Sequence, residues 1–130
     1  MYEIITEGCF DSAHRLMGYE GKCKDLHGHT WMFKIRLRVE SDLDEIGISV
    51  DFKAVKGWIK EIEDKYDHKY LNDVLKCNPT AEVIARKIWT DMEQIILRDQ
   101  IPLTMVDVCL WETPTNCIRY VDTEGAHANK

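Results

Sequence analysis

Hydrophobic and polar positions alternate along residues 1–14, with Tyr2, Ile4, Phe10 and His14 on one parity. On an extended chain one parity is one face, so the spacing predicts a first strand with His14 at or near its C-terminal end. From His29 the alternation is clearer: Trp31, Phe33, Ile35, Leu37 and Val39 share one face, and Thr30, Lys34, Arg36 and Arg38 the other. That is a long antiparallel-type strand with one wet face. Between the two strands, residues 17–26 carry Gly18 and Gly21 and read as a loop. Asp51 has the character of an N-cap, followed by Phe52, Val55, Trp58, Ile59 and Ile62 at helical spacing. Pro79-Thr80 opens a second helix with Ala81, Ile84, Ile88, Met92 and Ile95 along one stripe, and Pro102 ends it. Residues 103–112 and 116–121 form a last strand pair around Thr113-Pro114-Thr115. The order predicts an α+β domain: a four-stranded antiparallel sheet with two helices on one face. Such a sheet has open edges, which makes homo-oligomerisation a natural way to cover them.

Composition narrows this picture. The 130 residues suit one domain with one core, and no repeat, low-complexity tract or linker divides them. Residues 122–130 are polar and read as a frayed tail, with His127 among them as a solvated side chain. Five cysteines, an odd number with no CxxC pair, favour a reducing compartment over a disulfide framework. The acidic N-terminus lacks the apolar run of a signal peptide or membrane span, so a cytoplasmic location and no membrane partner are expected. A net charge of −6 without a basic stripe argues against nucleic acid as a partner. An anionic small molecule stays open, because Lys22, Lys24 and Lys69 lie near the residues of interest.

The candidate chemistry starts at His27-Gly28-His29. Residues i and i+2 of a strand point the same way, and counting back from Trp31 both imidazoles face the apolar side. His14, at the end of the neighbouring strand, is placed to add a third nitrogen. Three histidines and an open position make a catalytic zinc arrangement; two surface histidines at a strand start are the plain alternative. Cys23, four residues before His27, reads as a fourth ligand of a closed site, as a thiolate base beside the metal, or as a small loop residue. Asp67-His68 could be a carboxylate orienting a histidine, but adjacent residues meet only across a turn, and a helix C-terminus explains them equally. Glu112 ends the apolar row of Val106, Val108 and Leu110, where a carboxylate either escapes to solvent or holds a polar ligand. Thr80 and Glu82 read as the N-cap and first-turn acid of the second helix.

Six pieces occur in order: Phe10-Asp11-Ser12-Ala13-His14-Arg15-Leu16, Cys23-x3-His27-Gly28-His29, Val50-Asp51-Phe52, Tyr66-Asp67-His68-x2-Leu71-Asn72, Asn78-Pro79-Thr80-Ala81-Glu82 and Trp111-Glu112-Thr113-Pro114. Together they resemble the 6-pyruvoyl-tetrahydropterin synthase superfamily over residues 1–121. The three-residue gap between Cys23 and His27 is most similar to the 6-carboxy-tetrahydropterin synthases of queuosine (7-deazaguanine) biosynthesis. The resemblance implies the T-fold (tunnelling fold), assembling into barrels, with a hexamer expected and active sites between subunits. It implies a lyase acting on 7,8-dihydroneopterin triphosphate to give 6-carboxy-5,6,7,8-tetrahydropterin, acetaldehyde and triphosphate. It further implies Zn2+ on His14, His27 and His29, Cys23 as base, and Asp67 and His68 as a proton relay from a neighbouring subunit. Glu112 would anchor the pterin, with Thr80 and Glu82 lining its pocket. The alternatives are 6-pyruvoyl-tetrahydropterin synthase activity, which stops after triphosphate loss, and a non-catalytic pterin-binding module.

Overall fold

Burial of one parity fixes how the first two strands pair. The computed structural model describes residues 1–123, in which β1 (Glu3–His14) runs antiparallel to β2 (His27–Val39), from Glu3 opposite Arg38 to His14 opposite His27. Trp31, Phe33, Ile35 and Leu37 have no solvent exposure, and a one-residue slip would turn all four outward. His127 and residues 124–130 of the expected tail lie outside the described residues.

The helices follow their signals. In α1 (Phe52–Tyr66) the Asp51 side chain accepts from Lys53 N–H at 2.8 Å, which caps the first turn. Its buried stripe is Val55, Ile59, Ile62 and Tyr66. Phe52, expected in that stripe, begins the helix one turn before its burial starts and is 70% exposed. After α1 come two elements too short to carry a period, a two-residue strand β3 (Lys69–Tyr70) and a one-turn helix α2 (Leu71–Leu75). The long helix α3 (Ala81–Asp99) ends at Gln100 in the left-handed region, just before Pro102. Its buried face is broader than one stripe, taking in Ala85, Trp89 and Ile96 beside the expected Ile84, Ile88, Met92 and Ile95. Trp89 stacks edge-on to Tyr120 of the last strand.

Strands β4 (Leu103–Thr113) and β5 (Asn116–Tyr120) complete a sheet ordered β3-β1-β2-β4-β5, antiparallel except where β3 joins β1. The expected four strands thus gain a fifth, and the two helices a third. The single apolar parity expected for β4 is interrupted. Arg36 pairs with Asp107 but Leu37 with Met105, so Val106 is the extra residue of a β-bulge. Beyond it Val108 and Leu110 face the helices, whereas Asp107 turns to the other face, 2% exposed between Arg36 and Arg119. Burial alone would raise the Asp107 carboxyl, but the hydrogen bonds from the two guanidinium groups outweigh it and hold it low.

At Gly8 the space between β1 and α1 leaves no room for a side chain. A Cβ there would overlap the Phe33 ring and come within 2.8 Å of Ile59 Cγ2. Gly8→Ala is therefore expected to cost about 1–3 kcal/mol, the usual scale of overpacking, and urea unfolding of the two proteins measures it. Among the described residues no helix is long and apolar enough to cross a membrane.

Candidate active site

The hairpin register builds the site. His14 stands opposite His27, and Ser12 opposite His29, so the three imidazoles share the helix-facing side beyond the buried Trp31. Their ring centroids are 4.5 Å (His14–His27), 4.8 Å (His27–His29) and 5.3 Å (His14–His29) apart. Trp31 meets His14 and His29 edge-on and gives them a rigid apolar floor.

Backbone carbonyls orient two of the rings. His14 Nδ1 lies 2.9 Å from the Pro79 carbonyl, and His27 Nδ1 2.7 Å from that of Asp25. A carbonyl only accepts, so each Nδ1 carries the proton and donates it, leaving the Nε2 lone pair bare. Nε2 of His14, His27 and His29 is in every case buried without a hydrogen-bond partner. Buried polar atoms normally find partners, and here one ligand nitrogen from each ring lies within 4.8 Å of the others. The group therefore has the geometry to hold a metal ion, with second-shell carbonyls of the usual kind. Cys23 is not part of it.

Burial is the largest influence on His14 and His29 and lowers both below 6.5, opposed by the Pro79 hydrogen bond at His14 and by the Glu112 charge at His29. Neutral rings at neutral pH are ligand-ready. A stability consequence follows for metal-free protein. Between the lowered folded values and about 6.5 the unfolded chain binds more protons, so stability rises with pH in that window. It is held above about pH 6.5 and lost as the pH falls. Urea midpoints of the apoprotein at about pH 7.5 and about pH 5.5 are expected to drop in that order.

Glu112 comes to the triad from β4. Trp111 pairs with Cys117 and Thr113 with Asn116, so Glu112 is the extra residue of a second bulge, a common device for re-aiming a side chain. Its Oε1 lies 3.3 Å from His29 Nε2. The carboxylate separates two clefts. One, of about 550 Å³, is bordered by His29, Thr30, Met32, Lys34 and Trp111; the other, of about 240 Å³, by Ala81, Leu110 and Asn116. Thr80 caps α3, its Oγ1 accepting from Val83 N–H at 3.2 Å, and Glu82 is an exposed acid in the first turn. Ala81, between them, is the one of the three that borders these clefts.

Asp67 and His68 do meet. Asp67 caps the end of α1, and His68 adopts φ 55°, a left-handed turn rare for a residue with a Cβ. That turn brings His68 Nδ1 to 2.9 Å from Asp67 Oδ2. Asp67 Oδ1 accepts from Asp11 N–H at 2.9 Å, and His68 N–H donates to the Asp11 carbonyl at 2.6 Å. The Asp11 amide foremost, and His68 after it, hold the Asp67 carboxyl below the usual range. Asp11 and its partner Thr30 lie on the face opposite the triad, and His68 borders a groove there with both, which His29 also reaches. Within one chain the relay pair therefore sits by the face opposite the triad, with His29 the triad member that borders the same groove.

Two asparagines to which local sequence assigns no role hold the backbone beyond His14. The Asn72 side chain binds both backbone groups of Arg15, and that of Asn78 both groups of Met17. Each asparagine sits in one of the quoted motifs, which was the available signal.

Comparison with known proteins agrees with this architecture. Residues 3–123 match the family model described as 6-pyruvoyl tetrahydropterin synthase. The Haemophilus influenzae protein named 6-carboxy-5,6,7,8-tetrahydropterin synthase is 33% identical, covering 92% of this chain and 99% of its own. The Synechocystis protein of the same name is 39% identical over 72% of this chain and 77% of its own. The solved structure of Caenorhabditis elegans 6-pyruvoyl tetrahydropterin synthase superposes with a TM-score of 0.77, covering 94% of this chain and 96% of that one at 23% identity. At that identity the likeness speaks for the fold, which is the expected T-fold. The chain belongs to the 6-pyruvoyl tetrahydropterin synthase family.

Proposed function

We propose that this chain is a zinc-dependent 6-carboxy-5,6,7,8-tetrahydropterin synthase, converting 7,8-dihydroneopterin triphosphate and water to 6-carboxy-tetrahydropterin, acetaldehyde and triphosphate. The observation that carries the reading is the convergence of three bare, buried Nε2 atoms beside a carboxylate. The shared name of the bacterial relatives supports the carboxy product, and a place in queuosine biosynthesis is part of the same proposal.

His14, His27 and His29 would hold Zn2+, which when bound supplies Lewis-acid polarisation of the substrate's side-chain hydroxyls. Glu112 accepts hydrogen bonds from the N–H edge of the pterin and so sets the ring beside the triad. Thr80 and Glu82 support that pocket by fixing the start of α3, where Ala81 borders the cleft. Cys23 takes the proton that leaves the substrate side chain, a role that requires it to stay off the metal. His68 donates its Nδ1 proton to Asp67, which leaves Nε2 to accept and return a proton. Because that pair sits by the face opposite its own triad, it serves the site of a neighbouring subunit. The working unit is thus a homo-oligomer, a hexamer on the family pattern, with the sheet edges paired between copies. All five cysteines are free, in keeping with work in a reducing cytoplasm.

Product analysis decides between the readings. Zinc-loaded protein incubated with dihydroneopterin triphosphate is expected to release acetaldehyde and 6-carboxy-tetrahydropterin. A 6-pyruvoyl product without acetaldehyde would assign the alternative synthase activity, and tight binding without turnover would assign a binding module.

A further inference from the structure

We infer that Asn72 and Asn78 are positioning residues that lock Cys23 and His14 into one rigid unit. The inference rests on the reading of Cys23 as the base. Beyond His14, residues 15–17 have no paired strand on the side where β3 ended at Tyr70. The two asparagine side chains take that strand's place. Asn72 Oδ1 accepts from Arg15 N–H at 3.0 Å and its amide donates to the Arg15 carbonyl at 2.9 Å. Asn78 repeats the pattern on Met17, at 2.9 and 3.1 Å. An amide side chain carries one acceptor and donors in the same plane, which is what a single strand residue offers to its neighbour.

In an extended segment residues 15 and 17 present their backbone groups to one side and residue 16 to the other. On that other side Leu16 N–H donates to the Cys23 carbonyl at 2.8 Å. The three-residue ribbon therefore joins the asparagine arms to the turn at Lys22–Lys24 that carries Cys23. From Met17 to that turn the chain bends through Gly18 and Gly21, at φ 78° and 140°. Gly can adopt many conformations there, so the ribbon supplies the order that the loop's own sequence does not. Asn78 has a second reach: it directly precedes Pro79, whose carbonyl orients His14. The Asn78 segment thus reaches the Cys23 turn through its side chain on Met17 and the His14 ring through the carbonyl of Pro79. Preorganisation of this kind decides rates, since misplacement of a catalytic group by about 1 Å can cost on the order of a hundredfold.

Four proteins test it: the parent, Asn78→Ala, Cys23→Ala and the double variant, each with bound zinc measured. Amide hydrogen exchange at Leu16 and Met17, and alkylation of Cys23 by iodoacetamide followed by mass spectrometry, read the ribbon without reference to turnover. Both are expected to speed up severalfold in Asn78→Ala, with kcat down on the order of tenfold or more and KM changed far less. In the Cys23→Ala background Asn78→Ala is expected to add less loss than it causes in the parent, because the part of its effect that runs through the thiol is already gone. Asn72→Ala repeats the pattern, and Asn78→Ser takes the place of an alanine variant that does not fold. Unchanged exchange and alkylation, or losses that multiply fully in the double variant, would overturn the inference. A parent protein that does not turn over the pterin would instead refute the proposed function, and the exchange and alkylation results would still decide the clamp.

Discussion

His14→Ala is expected to strip the metal and leave almost no turnover. His14 is the most buried of the three imidazoles, at 1% exposure, and its ring edge faces both other histidines. Its removal takes away one of three nitrogens and the hydrogen that the Pro79 carbonyl accepts. Loss of a second-shell partner alone costs about 10–100-fold in metal affinity, so loss of a ligand is expected to exceed that. Lewis-acid stabilisation is worth several kcal/mol, and at about 1.36 kcal/mol per tenfold its loss is on the order of a thousandfold or more in rate. Metal content by mass spectrometry or atomic absorption, beside a turnover assay, reads both effects. His29→Ala, at a half-buried position, checks that the result is not unfolding: it should retain the parent's circular dichroism while losing metal and activity.

Cys23→Ala is expected to do the opposite with the metal and the same with the rate. The thiol is half-buried in a short turn and does not join the group of ligand atoms formed by the histidines. Zinc should therefore stay bound in the variant. Loss of a positioned general base typically costs about 10²–10⁴-fold. A variant that shed its zinc would make Cys23 a fourth ligand and the site a closed structural one. Full turnover would remove Cys23 from the chemistry altogether. The two variants together separate holding the ion from moving the proton.

Much of the frame was legible because it repeats. Trp31 to Leu37 alternate without a break, and the same parity carried back to His29 and His27 gave the direction of both imidazoles. What escaped was non-periodic or distant. Lys69-Tyr70 and residues 71–75 are too short to show a period, so the fifth strand and third helix left no pattern. The bulge at Val106 has no glycine to announce it, and it lets Leu103 share the buried face with Val108 and Leu110 although their parity differs. The Asp67–His68 contact depends on a left-handed backbone at a histidine, which residue type does not foretell. The asparagine clamps act across 57 and 61 residues of chain, beyond any local spacing rule. Phe52 kept the helical phase of its stripe but stands at the first turn, ahead of the burial that begins at Val55.

A zinc titration of the metal-free protein tests the central claim most directly. Purified apoprotein is given dihydroneopterin triphosphate and increasing zinc, and released acetaldehyde is trapped and measured against bound metal. Turnover is expected to be absent without the ion, to rise in proportion to bound zinc, and to level off at one ion per chain. Acetaldehyde release at full rate from protein free of metal, or a zinc-saturated protein that releases none, would contradict the account.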